Sequence, residues 1–276
     1  MIEVSGLSSS IRNVRILDGL TFAVRPGEFV ALVGPNGAGK TTLLKHLNGL
    51  LKPSSGTVSV TGRDTRKTKT SELARRVGFL FQNPDQQILC PTVREELSFG
   101  LRHCGIPSDE WASRVEAASG LMDLADSLDA DPLMLPRSRR QRVAFASVLA
   151  TGPDVLVLDE PTSAQDEAET RRIMETARGL VSGGKSVILV SHDMDLVAEY
   201  ATRVLLLVDG RLEADCSPGE LFCREDLLAR ANLVSPGLYR LASALGVTGC
   251  PGATGATLTV DSLADIIESR AAKEGQ

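Results

Sequence analysis

Phe29-Val30-Ala31-Leu32-Val33-Gly34-Pro35-Asn36-Gly37-Ala38-Gly39-Lys40-Thr41 joins a short apolar run to a complete GxxxxGK[ST] loop. The run is continuous, as in a strand buried on both faces. After the loop, Leu43, Leu44, Leu47 and Leu51 recur at helical spacing, and Asn48-Gly49 supplies a stop. The order is therefore strand, loop, helix. Four fixed positions match by chance in about one chain in a hundred of this size, and placement between a strand and a helix makes coincidence far rarer. Glycines let backbone N–H groups approach phosphate oxygens, while the helix start adds partial positive charge. Lys40 is expected to reach the β- and γ-phosphates of a nucleotide, and Thr41 to offer its hydroxyl to Mg²⁺.

The 276 residues suffice for one large core plus an appendage. Hydrophobic content of 42% and charged content of 24% are those of an ordinary soluble protein. A net charge of −5 gives no sign of a nucleic-acid surface. Cys90, Cys104, Cys216, Cys223 and Cys250 are scattered and form no C-x-x-C pair, so a reduced, intracellular compartment is expected. The neighbours His103 and Cys104 have no further ligands at metal spacing and read as structural. Met1-Ile2-Glu3-Val4 leads into strand-like alternation rather than a signal peptide. No apolar run approaches the ~20 residues that span a bilayer. Any service to a membrane is expected from its surface.

Ile2/Val4, Phe22/Val24 and Val58/Val60 alternate with polar residues and predict a small antiparallel layer, with turns at Pro26-Gly27 and Ser54-Ser55-Gly56. A strand over Val77 to Phe81 ends at Gln82-Asn83-Pro84-Asp85-Gln86-Gln87. From about 86 to 150 the pattern is that of a helical insertion. Ser108 is expected to cap a helix carrying Trp111, Val115, Ala118 and Met122 on one face. Val155 to Asp159, Val187 to Val190 and Val204 to Val208 are apolar strands separated by helix-length segments, which predicts a parallel sheet. Asp209-Gly210 reads as a tight hairpin turn into Arg211 to Ala214. Beyond Ser217, helices near Leu238 to Leu245 and Ser262 to Ala272 flank a Gly/Thr-rich linker, Gly246 to Thr257, predicting a separately packed helical piece that serves subunit association.

Asp159 and Glu160 at the end of a buried strand are expensive unless they meet a cation or a proton to be moved. With a phosphate loop in the same sheet, Asp159 suits Mg²⁺ and Glu160 suits a base for an attacking water. His192, closing another core strand, is placed to sense the transferred phosphoryl.

From about Ile2 to Cys216 these residues resemble the ATP-binding subunit of ABC transporters. The resemblance implies an α/β fold: a P-loop NTPase core with a parallel sheet, a small antiparallel layer and an inserted helical subdomain. It makes Gly34 to Thr41 the Walker A motif, with Thr42 beside it on the nucleotide, and Val155 to Glu160 Walker B with its catalytic glutamate. Gln82 becomes the Q-loop glutamine, a Mg²⁺ ligand with Thr41 and Asp159, while Ser163-Ala164-Gln165-Asp166 is the D-loop and His192 the switch histidine. Phe81 to Gln87 and Pro91-Thr92-Val93-Arg94-Glu95-Glu96 look more narrowly like the energy-coupling factor and cobalt-importer branch.

Where that family carries LSGGQ, this chain reads Leu135-Pro136-Arg137-Ser138-Arg139. Ser182-Gly183-Gly184-Lys185 is a decoy, because it follows Walker B. An adenine-stacking aromatic aligns near Ile11, and Gln165 stands where the D-loop commonly has an apolar residue. In the family's head-to-tail dimers each nucleotide lies between the Walker residues of one subunit and the signature of the other. The resemblance thus implies residues 1–216 as the ATP-binding domain and 217–276 as a C-terminal extension. The expected ligands are ATP and Mg²⁺. The expected partners are membrane-embedded subunits and a second ATP-binding subunit with an intact LSGGQ, at the cytoplasmic face of the membrane. A hydrolysis-deficient regulatory subunit is the alternative. A soluble ABC protein of translation or DNA repair fits poorly, since the chain has neither two cassettes nor a long coiled-coil insertion.

Overall fold

The computed structural model describes residues 1–163, 165–247 and 258–274. The chain opens with β1 (Ile2–Ile11) and β2 (Val14–Val24), then β3 (Phe29–Val33), α1 (Lys40–Leu47), β4 (Ser55–Val60), β5 (Arg63–Asp64), α2 (Thr70–Leu73) and β6 (Val77–Leu80). The helical insertion follows as α3 (Val93–His103), α4 (Trp111–Leu121) and α5 (Arg137–Thr151). The core resumes with β7 (Val155–Asp159), α6 (Glu167–Ser182), β8 (Ser186–Val190), α7 (Met194–Tyr200), β9 (Arg203–Val208) and β10 (Arg211–Cys216). Last come α8 (Pro218–Phe222), α9 (Glu225–Arg230), α10 (Gly237–Ala244) and α11 (Val260–Glu274).

The main sheet has strand order β10-β9-β3-β8-β7-β6, parallel except for the hairpin strand β10. All five residues of β3 are buried. Phe29, Ala31 and Val33 face a core shared with α3 to α7, while Val30 and Leu32 face one shared with α1 and the antiparallel sheet β2-β1-β4-β5. An uninterrupted apolar run is thus the consequence of two buried faces read at period two.

The helical insertion differs from expectation at its second helix. Ser108 does not cap α4; it lies inside a 3₁₀ turn, Ser108–Glu110, that runs straight into Trp111. Pro107 ends the preceding segment with extended ψ, which lets that turn begin directly. The apolar face is as expected, with Val115, Ala118 and Met122 buried and Trp111 packed on the same core. Leu51 also falls outside α1, which ends at Leu47 with Gly49 at φ +73°.

The C-terminal helices continue the helical-side core instead of forming one of their own. Tyr239, Ala242, Leu258 and Leu263 join it, the rings of Phe222 and Tyr239 meet at 5.0 Å with a 59° tilt, and Leu258 N donates to the Tyr239 hydroxyl at 3.4 Å. Most of the Gly/Thr-rich stretch, with Cys250, lies outside the described residues. No helix among the described residues is long and apolar enough to cross a membrane.

Candidate functional site

Four parallel strands, β6, β3, β7 and β8, deliver the predicted site residues at their C-terminal ends, where open α/β sheets bind ligands. They surround a cleft of about 660 Å³ lined by Asn36, Gly37, Gly39 to Thr42, Gln82, Asp159, Glu160, Ser163, Val190 and His192, together with Ile16.

The loop after β3 is shaped by glycine where nothing larger fits. A Cβ on Gly34, at φ +145°, would lie 2.0 Å from Leu207 O, so the loop is pressed against β9. Gly39, at φ +103°, starts α1 against Leu17, whose Cδ2 would be 2.7 Å from an added Cβ. Lys40 is buried, and its Nζ donates to Gly34 O at 2.6 Å and Pro35 O at 3.0 Å. Burial pushes its pKa down, and Glu160 and Asp159 push it back up. The ammonium therefore sits between the loop carbonyls and the two acids.

Asp159 is paired in register with Val190, and Glu160 N donates to Val190 O at 3.0 Å. Burial raises the pKa of both carboxyls, with Lys40 opposing; for Glu160 the backbone of His192 opposes it too, while Asp159 and Asp193 add to it. Glu160 takes φ +48°, a left-handed conformation costing a non-glycine about 1–2 kcal/mol. Its Oε1 is buried, has no hydrogen-bond partner among the described residues and lies 3.4 Å from His192 Nε2. The His192 pKa is pushed down by burial first and by Lys40 second, which favours a neutral ring. An unsatisfied carboxylate oxygen, a second acid beside it and a hydroxyl from Thr41 form a hard, oxygen-rich donor set facing the phosphate loop. That chemistry fits Mg²⁺, which prefers one or two carboxylates with phosphate oxygens.

Several contributors were not visible in the sequence. Ile16 lines the cleft and Ile11 does not; Ile11 stands 44% exposed at the end of β1. The Asp209-Gly210 turn holds the wall in place, since Gly210 N donates to Ala38 O at 3.1 Å and Asp18 N to Gly210 O at 2.9 Å. Gln87 ties the Gln82 segment to α5, its Oε1 accepting from Phe81 N at 3.1 Å and its Nε2 donating to Ala144 O at 2.9 Å. Asp85 adds an ion pair to Arg140 at 2.7 Å.

A second link joins α5 to the segment after Glu160. Gln141 Nε2 donates to Pro161 O at 3.3 Å, and Arg142 makes a two-pronged pair with Glu169, whose N–H is capped by Asp166 at 2.9 Å. Arg142 and Glu169 are only 11% and 10% exposed, so removing one partner strands a buried charge. Arg142→Ala should lower unfolding stability by roughly 3–5 kcal/mol, while joint replacement Arg142→Met with Glu169→Leu should cost much less. Urea denaturation measures both, and a loss below about 1 kcal/mol in the single variant would contradict the reading.

The signature register forms the start of α5. Pro136 is its N-cap, with φ −53° and ψ 151° and no side-chain cap. Arg139 is bound to Asp126 at 2.9 Å and Ser127 Oγ at 2.6 Å, and Arg140 to Leu135 O at 2.8 Å. Arg137 is exposed, and its side chain makes no hydrogen bond or ion pair among the described residues. The Ser182-Gly183-Gly184-Lys185 string closes α6 into β8, far from this helix in the chain.

Residues 17–163, more than half of the chain, match the family described as ABC transporter. The chain belongs to that family. It is 39% identical over 228 residues to the energy-coupling factor transporter ATP-binding protein EcfA of Methanocaldococcus jannaschii, covering 82% of each. Relatives from Caldanaerobacter subterraneus and Methanosarcina mazei are 42% and 44% identical over 85% of the chain, which spans only 41% and 39% of their length. Among solved structures, cbiO1 of Clostridium perfringens, part of the ABC transporter complex cbiONQ, is similar with TM-score 0.75 and 30% identity, over 88% of this chain and 98% of that one. The ATP-binding cassette MJ0796, solved as a dimer in a post-hydrolysis state with ADP and Pi, is similar with TM-score 0.70 and 26% identity, over 79% and 99%. The family's fold is that of this chain, down to its mixed sheets and helical subdomain.

Proposed function

We propose that the chain is the ATP-binding subunit of a membrane importer of the energy-coupling factor type, coupling Mg-ATP binding and hydrolysis to uptake of a micronutrient such as a metal ion or vitamin. One observation carries this reading: Lys40, Thr41, Gln82, Asp159, Glu160 and His192, drawn from four strand ends, line a single cleft. The likeness to EcfA and to cbiO1, a part of an ABC transporter complex, supports the branch. Residues 1–216 carry the nucleotide, and the described residues of the 217–276 extension add to the helical side.

In this scheme the loop N–H groups from Gly34 to Thr42 cradle the phosphates and Lys40 leaves its carbonyl partners to meet the β- and γ-oxygens. Thr41, Asp159 and Gln82 are the residues that would hold Mg²⁺, which would supply positive charge to offset that of the phosphates. Glu160 orients the attacking water and takes up its proton, while His192 steadies the Glu160 carboxylate from the other side. Gln87 and the Asp85–Arg140 pair carry a shift of Gln82 to α5. The apolar groove between the Gln82 segment, α2 and α3, lined by Leu50, Ala74, Phe79, Leu89 and Phe99, receives the membrane partner.

A second reading, a nucleotide-binding subunit that hydrolyses little by itself, draws support from Pro136 at the signature position. Co-expression with membrane subunits tests both. The first reading expects the chain in the membrane fraction with ATP turnover well above that of the chain alone. Membrane recovery with no added turnover would favour the second, and recovery in the soluble fraction regardless of partners would overturn both.

A further inference from the structure

The chain is acidic overall, yet its cations are unevenly placed. Residues 45–76 hold eight of the 30 Lys and Arg and only two of the 35 Asp and Glu, a local excess of six positive charges against −5 for the whole. All eight, Lys45, Lys52, Arg63, Arg66, Lys67, Lys69, Arg75 and Arg76, are exposed.

The segment is compact. Lys52 Nζ is bound to Thr65 O and Thr68 O, Thr70 Oγ1 donates to Gly49 O at 3.3 Å, and Leu51 N donates to Lys45 O at 2.9 Å. These bonds gather the end of α1, the turn before β4 and the β5–α2 loop onto one surface. Several of its charges stay uncompensated. Arg63 pairs with Glu72, Arg66 with Asp64 and Arg76 with Asp154, but among the described residues Lys45, Lys67 and Lys69 make no ion pair; Lys67 lies near Asp64, which Arg66 already occupies. Leu50, 57% exposed, stands between Gly49 and Leu51, whose bonds to Thr70 and Lys45 fix this surface.

Point charges on long, flexible stems around an exposed aliphatic side chain suit a diffuse anionic layer with an apolar interior better than a shaped polar ligand. We infer that this face is a contact surface for anionic lipid headgroups. It adjoins the apolar groove, sharing Leu50, Thr70 and Ala74 with it, and so turns the groove toward the bilayer in which the partner sits. The inference rests on the proposed peripheral membrane function, and its test uses lipid without any partner subunit.

The full chain is mixed with vesicles of phosphatidylcholine alone or with phosphatidylglycerol, and sedimented. Binding is expected only to the phosphatidylglycerol vesicles, weakening as salt rises. The triple variant Lys45→Gln, Lys67→Gln, Lys69→Gln should bind them on the order of a hundredfold more weakly, at about fivefold per cation, while binding ATP like the parent. Equal binding to both vesicle types, binding to neither, or no effect of the triple variant would overturn the inference. So would duplex DNA competing as well as phosphatidylglycerol, which would mark an unselective polyanion surface. If the triple variant instead lost only its association with the membrane subunit, the face would belong to a protein contact. Retained ATP binding with failed vesicle binding would leave the proposed ATP-dependent function standing.

Discussion

Lys40→Ala is expected to weaken Mg-ATP binding by at least about thirtyfold, whereas Glu160→Gln leaves binding intact and lowers turnover by roughly 10²–10⁴ in the assembled complex. The two residues sit in one cleft but act at different stages. Lys40 Nζ holds Gly34 O and Pro35 O, so its charge lies where ground-state phosphate oxygens arrive. Glu160 Oε1 lies 3.4 Å from His192 Nε2 and makes no hydrogen bond among the described residues, which leaves it open to the water a base must meet. An interaction made mainly in the transition state changes kcat, while one made in both states changes affinity. Burial raises the Glu160 pKa, and the base must be ionised to act. Turnover should therefore decline on acidification at a higher pH than an exposed glutamate would give. Nucleotide titration and a kcat–pH profile measure these effects. Parental turnover in Glu160→Gln would remove Glu160 from the role of base.

The site was legible where chemistry is written locally. Gly34 to Thr41 and Asp159-Glu160 each combine a rare residue pattern with an apolar strand, and the strand fixes where the pattern points. His192 was legible for the same reason, since Val187 to Val190 is buried throughout. Ile16 was not. It reaches the cleft because β2 crosses beside Gly39 and is held by the Asp209-Gly210 turn nearly two hundred residues later, a contact with no local signal. Gln87 and the Arg142–Glu169 pair were hidden similarly, because each depends on how the helical insertion docks. Ser108 misled because a cap-forming residue before acidic neighbours fits a helix start and a 3₁₀ turn equally well. The C-terminal helices misled because a Gly/Thr-rich linker says nothing about what its flanking helices pack upon.

The isolated chain should hydrolyse ATP weakly or not at all, and a partner with an intact LSGGQ should raise turnover by about 10²–10³. In the family's shared sites the signature serine and the backbone N–H groups of the helix start face the partner's γ-phosphate. In this chain that start is Pro136, which offers neither hydroxyl nor N–H and gives α5 no side-chain cap. Arg137 and Ser138 replace glycines that allow close approach. Arg139 does not supply a substitute charge, because Asp126 and Ser127 hold it within the subunit. Arg140 is likewise held by Asp85 and Leu135 O. Of these three arginines only Arg137 has no partner among the described residues, and an arginine needs room that a glycine-lined gap does not leave. A homodimer would then carry two impaired sites. A heterodimer would keep one competent site, built on this chain's Lys40, Asp159, Glu160 and His192 and closed by the partner's signature. Pro136→Ser with Arg137→Gly and Ser138→Gly should restore turnover to the isolated protein by about two orders of magnitude or more. Steady-state ATPase assays of the two proteins, alone and paired, decide the matter: vigorous turnover by the unmodified homodimer would show that Pro136 leaves the shared site functional and that no asymmetric partner is needed.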